Sequence, residues 1–208
     1  MFTTLALLLF APVQAQDPLP VDEHLAAPER WEFSGNLFYS DPPGSEDRLT
    51  PIVYADRGAV HLEARYNYED LETLSVFGGW TFAFEGELEA SFTPMLGVVT
   101  GETEGLAPAL EFDLGWRRFA WYAESEYLFD DEDDDDDFFY SWSTLTYGLT
   151  DWLSAGLVAE RSKLEDTDWS LQRGLALELQ HERLGFALYT YNIGSDDSYT
   201  AIALELAP

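Results

Sequence analysis

An all-β, antiparallel transmembrane β-barrel of about twelve strands (ten to twelve fit the pattern) is the fold class that the sequence predicts. Three observations predict it. From Trp31 onward, apolar and polar residues alternate with a period of two, the period at which successive side chains of a strand face opposite sides. Most alternating segments run about 9–13 residues, the length of a tilted strand that crosses a bilayer. The connections between segments are short and longer in turn, the asymmetry of barrels with brief turns at one rim and larger loops at the other.

The chain begins with "MFTTLALLLFAPVQAQ". An apolar core from Leu5 to Val13, followed by the small-residue pattern Val13-Gln14-Ala15, predicts a secretory signal peptide over residues 1–15. A buried N-terminal helix is the alternative. Residues 16–30, with three prolines and mixed charge, predict an extended periplasmic tail, and residues 31–208 form the single barrel domain. No later stretch offers the roughly 18 consecutive apolar residues of a spanning helix, so a membrane-embedded mature chain has to cross as a closed barrel.

Twelve segments follow, near residues 31–40, 50–56, 59–69, 72–84, 87–99, 107–116, 119–129, 138–149, 152–162, 168–180, 185–193 and 198–206. In the third, Val60, Leu62, Ala64, Tyr66 and Tyr68 share an oily face opposite His61, Glu63, Arg65, Asn67 and Glu69. In the fifth, Leu88, Phe92, Leu96 and Val98 oppose Glu87, Glu89, Ser91 and Thr93. In the sixth, Leu110, Phe112, Leu114 and Trp116 oppose Glu111 and Asp113. Pro51 weakens the second segment, and the faces of 138–149, 168–180 and 185–193 are ambiguous. Arg161 and Arg173 fall on otherwise apolar faces and require a bulge or an end position.

Short links occur at Arg57-Gly58, Glu85-Gly86, Arg117-Arg118, Thr150-Asp151 and His181–Gly185. The other end carries "DPPGSEDRL", "GETEG", "KLEDTD", "GSDD" and a run of eight carboxylates from Asp130 to Asp137. Only the link from Glu69 to Leu71 is brief on that side. Aromatics gather at both ends of the segments. Trp31, Phe84, Trp116, Phe119, Trp121 and Trp152 lie by the short turns, and Tyr68, Phe129, Phe138, Phe139 and Trp169 by the loops, as two interfacial girdles would place them. The soluble rival for the same alternation is a two-sheet sandwich, with its apolar faces packed together.

The stretches "ARYNYEDLETLSVFGGW", "PMLGVVTGETEGLAPALEF", "YAESEYLFD", "FFYSWSTLTYGLTDWL" and "LQRGLALEL" resemble uncharacterised Gram-negative outer-membrane β-barrel proteins of porin-like type, over roughly residues 50–205. The resemblance implies a bacterial outer-membrane location and a barrel fold, with outer-membrane lipid and the barrel assembly machinery as partners. It implies no established activity. Such barrels usually finish on an aromatic assembly signal, whereas this chain ends Leu204-Glu205-Leu206-Ala207-Pro208.

With a formal net charge of −30, the chain would repel a phosphate backbone, which excludes nucleic acid as a partner. It has no cysteine, hence no disulfide and no thiolate chemistry. The polar strand faces become a lumen lined by Glu63 and Arg65, by Glu87 and Glu89, by Glu111 and Asp113, by Glu124 and Glu126, and by Glu160 and Glu178. So acidic a lumen favours small cations or solutes in a porin-like channel. The alternative is a closed structural or surface-interaction barrel. No cofactor is expected. The run Asp130, Asp131, Glu132, Asp133, Asp134, Asp135, Asp136 and Asp137 offers hard oxygen ligands for weak Ca2+ or Mg2+ association, without the glycine and spacing of an EF-hand. A lipid hydrolase needs a nucleophile and base within reach of each other. None of the three histidines has a serine at a telling distance, so an enzyme is not expected.

Overall fold

The computed structural model describes residues 30–131, 137–164 and 167–208. The signal peptide, most of the tail (16–29) and Glu132–Asp136 of the carboxylate run lie outside the described residues. The strands are β1 (Glu32–Ser40), β2 (Arg48–Arg57), β3 (Val60–Tyr66), β4 (Leu74–Trp80), β5 (Phe82–Phe84), β6 (Glu89–Thr100) and β7 (Gly105–Trp116). They continue as β8 (Phe119–Asp130), β9 (Phe138–Gly148), β10 (Leu153–Leu164), β11 (Ser170–His181), β12 (Leu184–Tyr191) and β13 (Tyr199–Leu206).

With β4 and β5 taken together, every strand pairs antiparallel with its sequence neighbours, and β1 closes the ring against β13 from Gly35↔Leu206 to Ser40↔Ala201. β4 and β5 are one strand interrupted at Thr81. Both pair with β6 in a single register, Gly79↔Met95 and then Phe82↔Phe92, which makes a closed barrel of twelve strands. Closure leaves no unpaired edge. Pro51 does not shorten β2, which runs in register with β1 from Arg48 to Arg57. Pro108 does leave a mark. The β7–β8 pairing lapses between Leu106↔Phe129 and Ala109↔Glu126, where proline offers no N–H to the ladder.

The burial of this barrel is inverted relative to a soluble protein. Val53, Val76, Leu96, Val98, Leu157, Leu175 and Leu204 are each more than half exposed on the outer wall, while Glu63 and Arg65 are only 2% exposed inside. An apolar belt of this extent is a surface for lipid rather than water. The sandwich reading therefore fails, because the apolar faces pack against no second sheet. The short-turn aromatics Trp31, Phe84, Trp116, Phe119, Trp121 and Trp152 are all exposed. At the loop rim Trp169 takes the edge of Phe139, at 5.6 Å between ring centroids, and the Arg161 guanidinium, 3.7 Å from its own ring centroid. Arg161 thus occupies an end position near the close of β10 and needs no bulge.

Two expectations are corrected at that rim. The link after β3 is not brief but extends from Asn67 to Thr73. Asn67 adopts φ 55, a left-handed conformation that asparagine tolerates. Its side chain accepts from the Glu72 N–H at 2.8 Å and donates to the Leu49 carbonyl at 3.1 Å. This kink ends the alternation, so Tyr68 turns into the barrel instead of joining the outer girdle. Phe138 also points inward, packed against the cluster of Phe77, Met95, Val99, Ala107 and Leu128.

Glycines on the inner wall make room for large rings. A Cβ on Gly97 would run into the Phe77 ring, its cross-strand partner. Gly97→Ala is expected to destabilise the barrel by about 1–3 kcal/mol through overpacking. Gly78→Ala, where a Cβ meets only Leu62 Cδ2 at 3.8 Å, should fall within about 0.5 kcal/mol of the parent. Denaturant midpoints of the refolded proteins check both, and equal midpoints would refute the packing account.

Candidate functional site in the barrel lumen

Alternation in β3 aims His61, Glu63 and Arg65 inward. Arg65 is the centre of the resulting cluster. Its Nε donates to Glu63 Oε1 at 2.7 Å and its Nη2 to Glu63 Oε2 at 3.0 Å. Its Nη1 donates to Glu126 Oε2 of β8 at 2.7 Å. The guanidinium also lies over the rings of Tyr68 and Phe77, at 4.3 and 4.4 Å. A buried guanidinium needs such partners, because its desolvation is offset only when the geometry is close and charged acceptors are at hand.

A second chain of contacts runs beside it. The Tyr122 hydroxyl bridges Glu111 Oε1 at 3.0 Å and Glu124 Oε2 at 2.9 Å, and the Tyr68 hydroxyl contacts the other oxygen of Glu124. His61 Nδ1 meets Asp56 Oδ1 at 2.7 Å. Together these groups and the Phe77 cluster pack one side of the interior, against β3, β4, β6, β7 and β8.

The other side is hollow. A cavity of about 820 Å³ is lined at one end by Pro42, Ser45 and Glu46 of the 41–47 loop and at the other by Asp151 and Trp152 of a short turn. It therefore extends from one rim of the barrel to the other. Its charged lining is Glu46, Asp113, Glu124, Asp151, Glu160, Glu178 and Glu205 against the single base Arg48. Aromatic rings narrow it part-way. Trp142 of β9 meets Phe38 of β1 at 6.3 Å and Tyr189 of β12 at 5.3 Å, and its Nε1 donates to the Tyr191 hydroxyl at 2.8 Å.

The ten candidate lumen residues separate into groups. Glu63, Arg65, Glu111, Glu124 and Glu126 come together in the packed cluster. Asp113, Glu124, Glu160 and Glu178 line the cavity. Glu89 starts β6 at the short-turn rim and is exposed, 3.8 Å from the position a Gly115 Cβ would take. Glu87 lies outside the strands, exposed in the turn between β5 and β6. Of the carboxylate run, Asp137 ties the stem of its loop, accepting from the Asp130 N–H at 2.7 Å and the Tyr127 hydroxyl at 3.2 Å.

Sequence reasoning missed Phe38, Trp142, Tyr189, Tyr191 and Glu205 as lumen groups. The parity of Glu205 with Ala203 and Ala201, opposite Leu204 and Leu206, carries the signal for that residue. Tyr189 and Tyr191 carried none, because both faces of β12 are apolar.

Twelve strands, a closed antiparallel ring and a continuous inner cavity define a known architecture. The chain matches the solved KdgM porin in complex with disordered oligogalacturonate at a TM-score of 0.59, covering 84% of this chain and 99% of that one at 10% identity. A second structure of the KdgM porin matches at a TM-score of 0.58 over the same shares. This is the KdgM porin fold. No family model matches the chain, and no curated protein matches it in sequence. In this fold the hollow side of the lumen is the open part of the interior, and the packed Arg65 side narrows it.

Proposed function

We propose that this porin-fold barrel lies in a bacterial outer membrane and passes small cations or cationic and neutral small solutes. The observation that carries this reading is the rim-to-rim cavity, with seven carboxylates and one guanidinium on its wall. Rings of acidic side chains favour cations in a pore. One structural neighbour is a porin in complex with oligogalacturonate, a polyanion. The acidic lumen here would repel such a ligand. Outer-membrane lipid covers the apolar belt, and the barrel assembly machinery inserts the chain. The acidic loops add negative potential at one mouth and associate weakly with Ca2+ or Mg2+.

The test is single-channel recording of refolded protein in planar bilayers under a KCl gradient, with insertion verified on the same sample. Discrete steps with a cation-selective reversal potential are expected. Silence from inserted barrels would sink the channel reading and leave the closed surface barrel. Trp142→Ala is expected to raise unit conductance, because it removes the ring that touches Phe38 and Tyr189. An unchanged conductance would place the limiting constriction elsewhere.

A further inference from the structure

We propose that His61, Glu63 and Glu111 form a binding site for one divalent transition-metal ion, of the zinc class, in the packed side of the barrel. His61 Nε2, a Glu63 oxygen and a Glu111 oxygen all lie within 4.8 Å of one another. His61 is 7% exposed, and its Nε2 has no hydrogen-bond partner. That nitrogen is aimed between two carboxylates, 3.9 Å from Glu63 Oε2 and 3.9 Å from Glu111 Oε2. The separations are too long for N–H···O hydrogen bonds, so a protonated ring would leave its proton unshared.

A metal ion accounts for the spacing. With bonds of 2.0–2.2 Å, tetrahedral ligand atoms sit roughly 3.4 Å apart; the two His61–carboxylate gaps of 3.9 Å close to that by about half an ångström each, and the two carboxylate oxygens, no more than 4.8 Å apart, by at most about 1.4 Å. The groups that orient these ligands are in place. Asp56 holds Nδ1 at 2.7 Å, which fixes the tautomer that leaves Nε2 as a lone-pair donor, the carboxylate–histidine arrangement common behind metal ligands. Tyr122 holds Glu111 Oε1 at 3.0 Å and leaves Oε2 for the ion. Arg65 orients Glu63 through both oxygens. An imidazole with carboxylates selects Zn2+ and its neighbours over Ca2+ or Mg2+. The Glu111 side chain stays 11% exposed, and its partner Tyr122 lines the cavity. The ion would link β3 to β7 across the interior.

The experiment uses the refolded barrel in detergent, stripped with a chelator, with Co2+ as spectroscopic probe and Zn2+ as competitor. One equivalent of Co2+ is expected to develop the intense visible absorption of a four- or five-coordinate site, which Zn2+ abolishes. His61→Asn and Glu111→Gln should remove the band. Asp56→Asn should weaken binding by about 10–100-fold. Each variant is scored after its heat-shifted gel mobility shows a folded barrel. If His61→Asn does not fold, Glu111→Gln carries the test, since the amide keeps the Tyr122 contact. A spectrum no stronger than Co2+ in buffer would overturn the proposal. So would a band that survives either ligand substitution, which would place the ion on the acidic loops.

Discussion

Arg65→Met is expected to cost the barrel about 3–5 kcal/mol of stability, the largest loss of any single lumen substitution. The effect arises from what remains. Glu63 and Glu126, at 2% and 4% exposure, would keep their carboxylates inside the wall with no cation between them. Three charge-assisted bonds and two ring contacts vanish with the guanidinium. The triple variant with Glu63→Gln and Glu126→Gln should recover much of the loss, because no unpaired charge is then buried. Denaturant unfolding in micelles, followed by tryptophan fluorescence, gives both numbers. A triple variant no more stable than Arg65→Met would show that packing against Tyr68 and Phe77, rather than charge pairing, holds the cluster.

Neutralising the hollow side is expected to act on selectivity and leave stability almost unchanged. Glu160→Gln, Glu178→Gln and Glu205→Gln together remove three of the seven carboxylates on the cavity wall. None of the three belongs to the cluster packed around Arg65. The potassium-to-chloride permeability ratio should fall severalfold toward one, most visibly at low salt, where screening is weakest. A ratio that stays cation-selective would assign the selectivity to the mouth, where Glu46, Asp151 and the loop carboxylates sit. The two sets of substitutions divide the lumen by role, with charges on one side satisfying each other and charges on the other left to act on solute.

Much of this division is invisible in one dimension. Alternation placed the twelve strands within a few residues of their ends, because a barrel wall between lipid and lumen imposes a strict period of two. It also put Glu63, Arg65, Glu111, Glu124 and Glu126 on the inner face. The exceptions have local causes. Tyr68 departs from the alternation because the left-handed Asn67 resets the parity after β3. Glu87 continues the alternation of β6 beyond the first residue that pairs, so its period matches the wall although it lies in the turn. Phe138 and β12 defeated the pattern because apolar residues occupy both faces there, and amphipathic contrast is the only signal that a strand carries.

Local periodicity and composition suffice for the fold class, the strand order, the apolar outer belt and the acidic inner face. Which inner groups meet is set by the closed barrel. Arg65 and Glu126 are on β3 and β8, His61 and Glu111 on β3 and β7, and Phe38 and Trp142 on β1 and β9. Their contacts depend on how the closed ring curves and on register summed around twelve strands. Side-chain parity specifies the face a residue occupies. Closure of the barrel brings distant strands to the same height across the lumen, packing one side and leaving the other open.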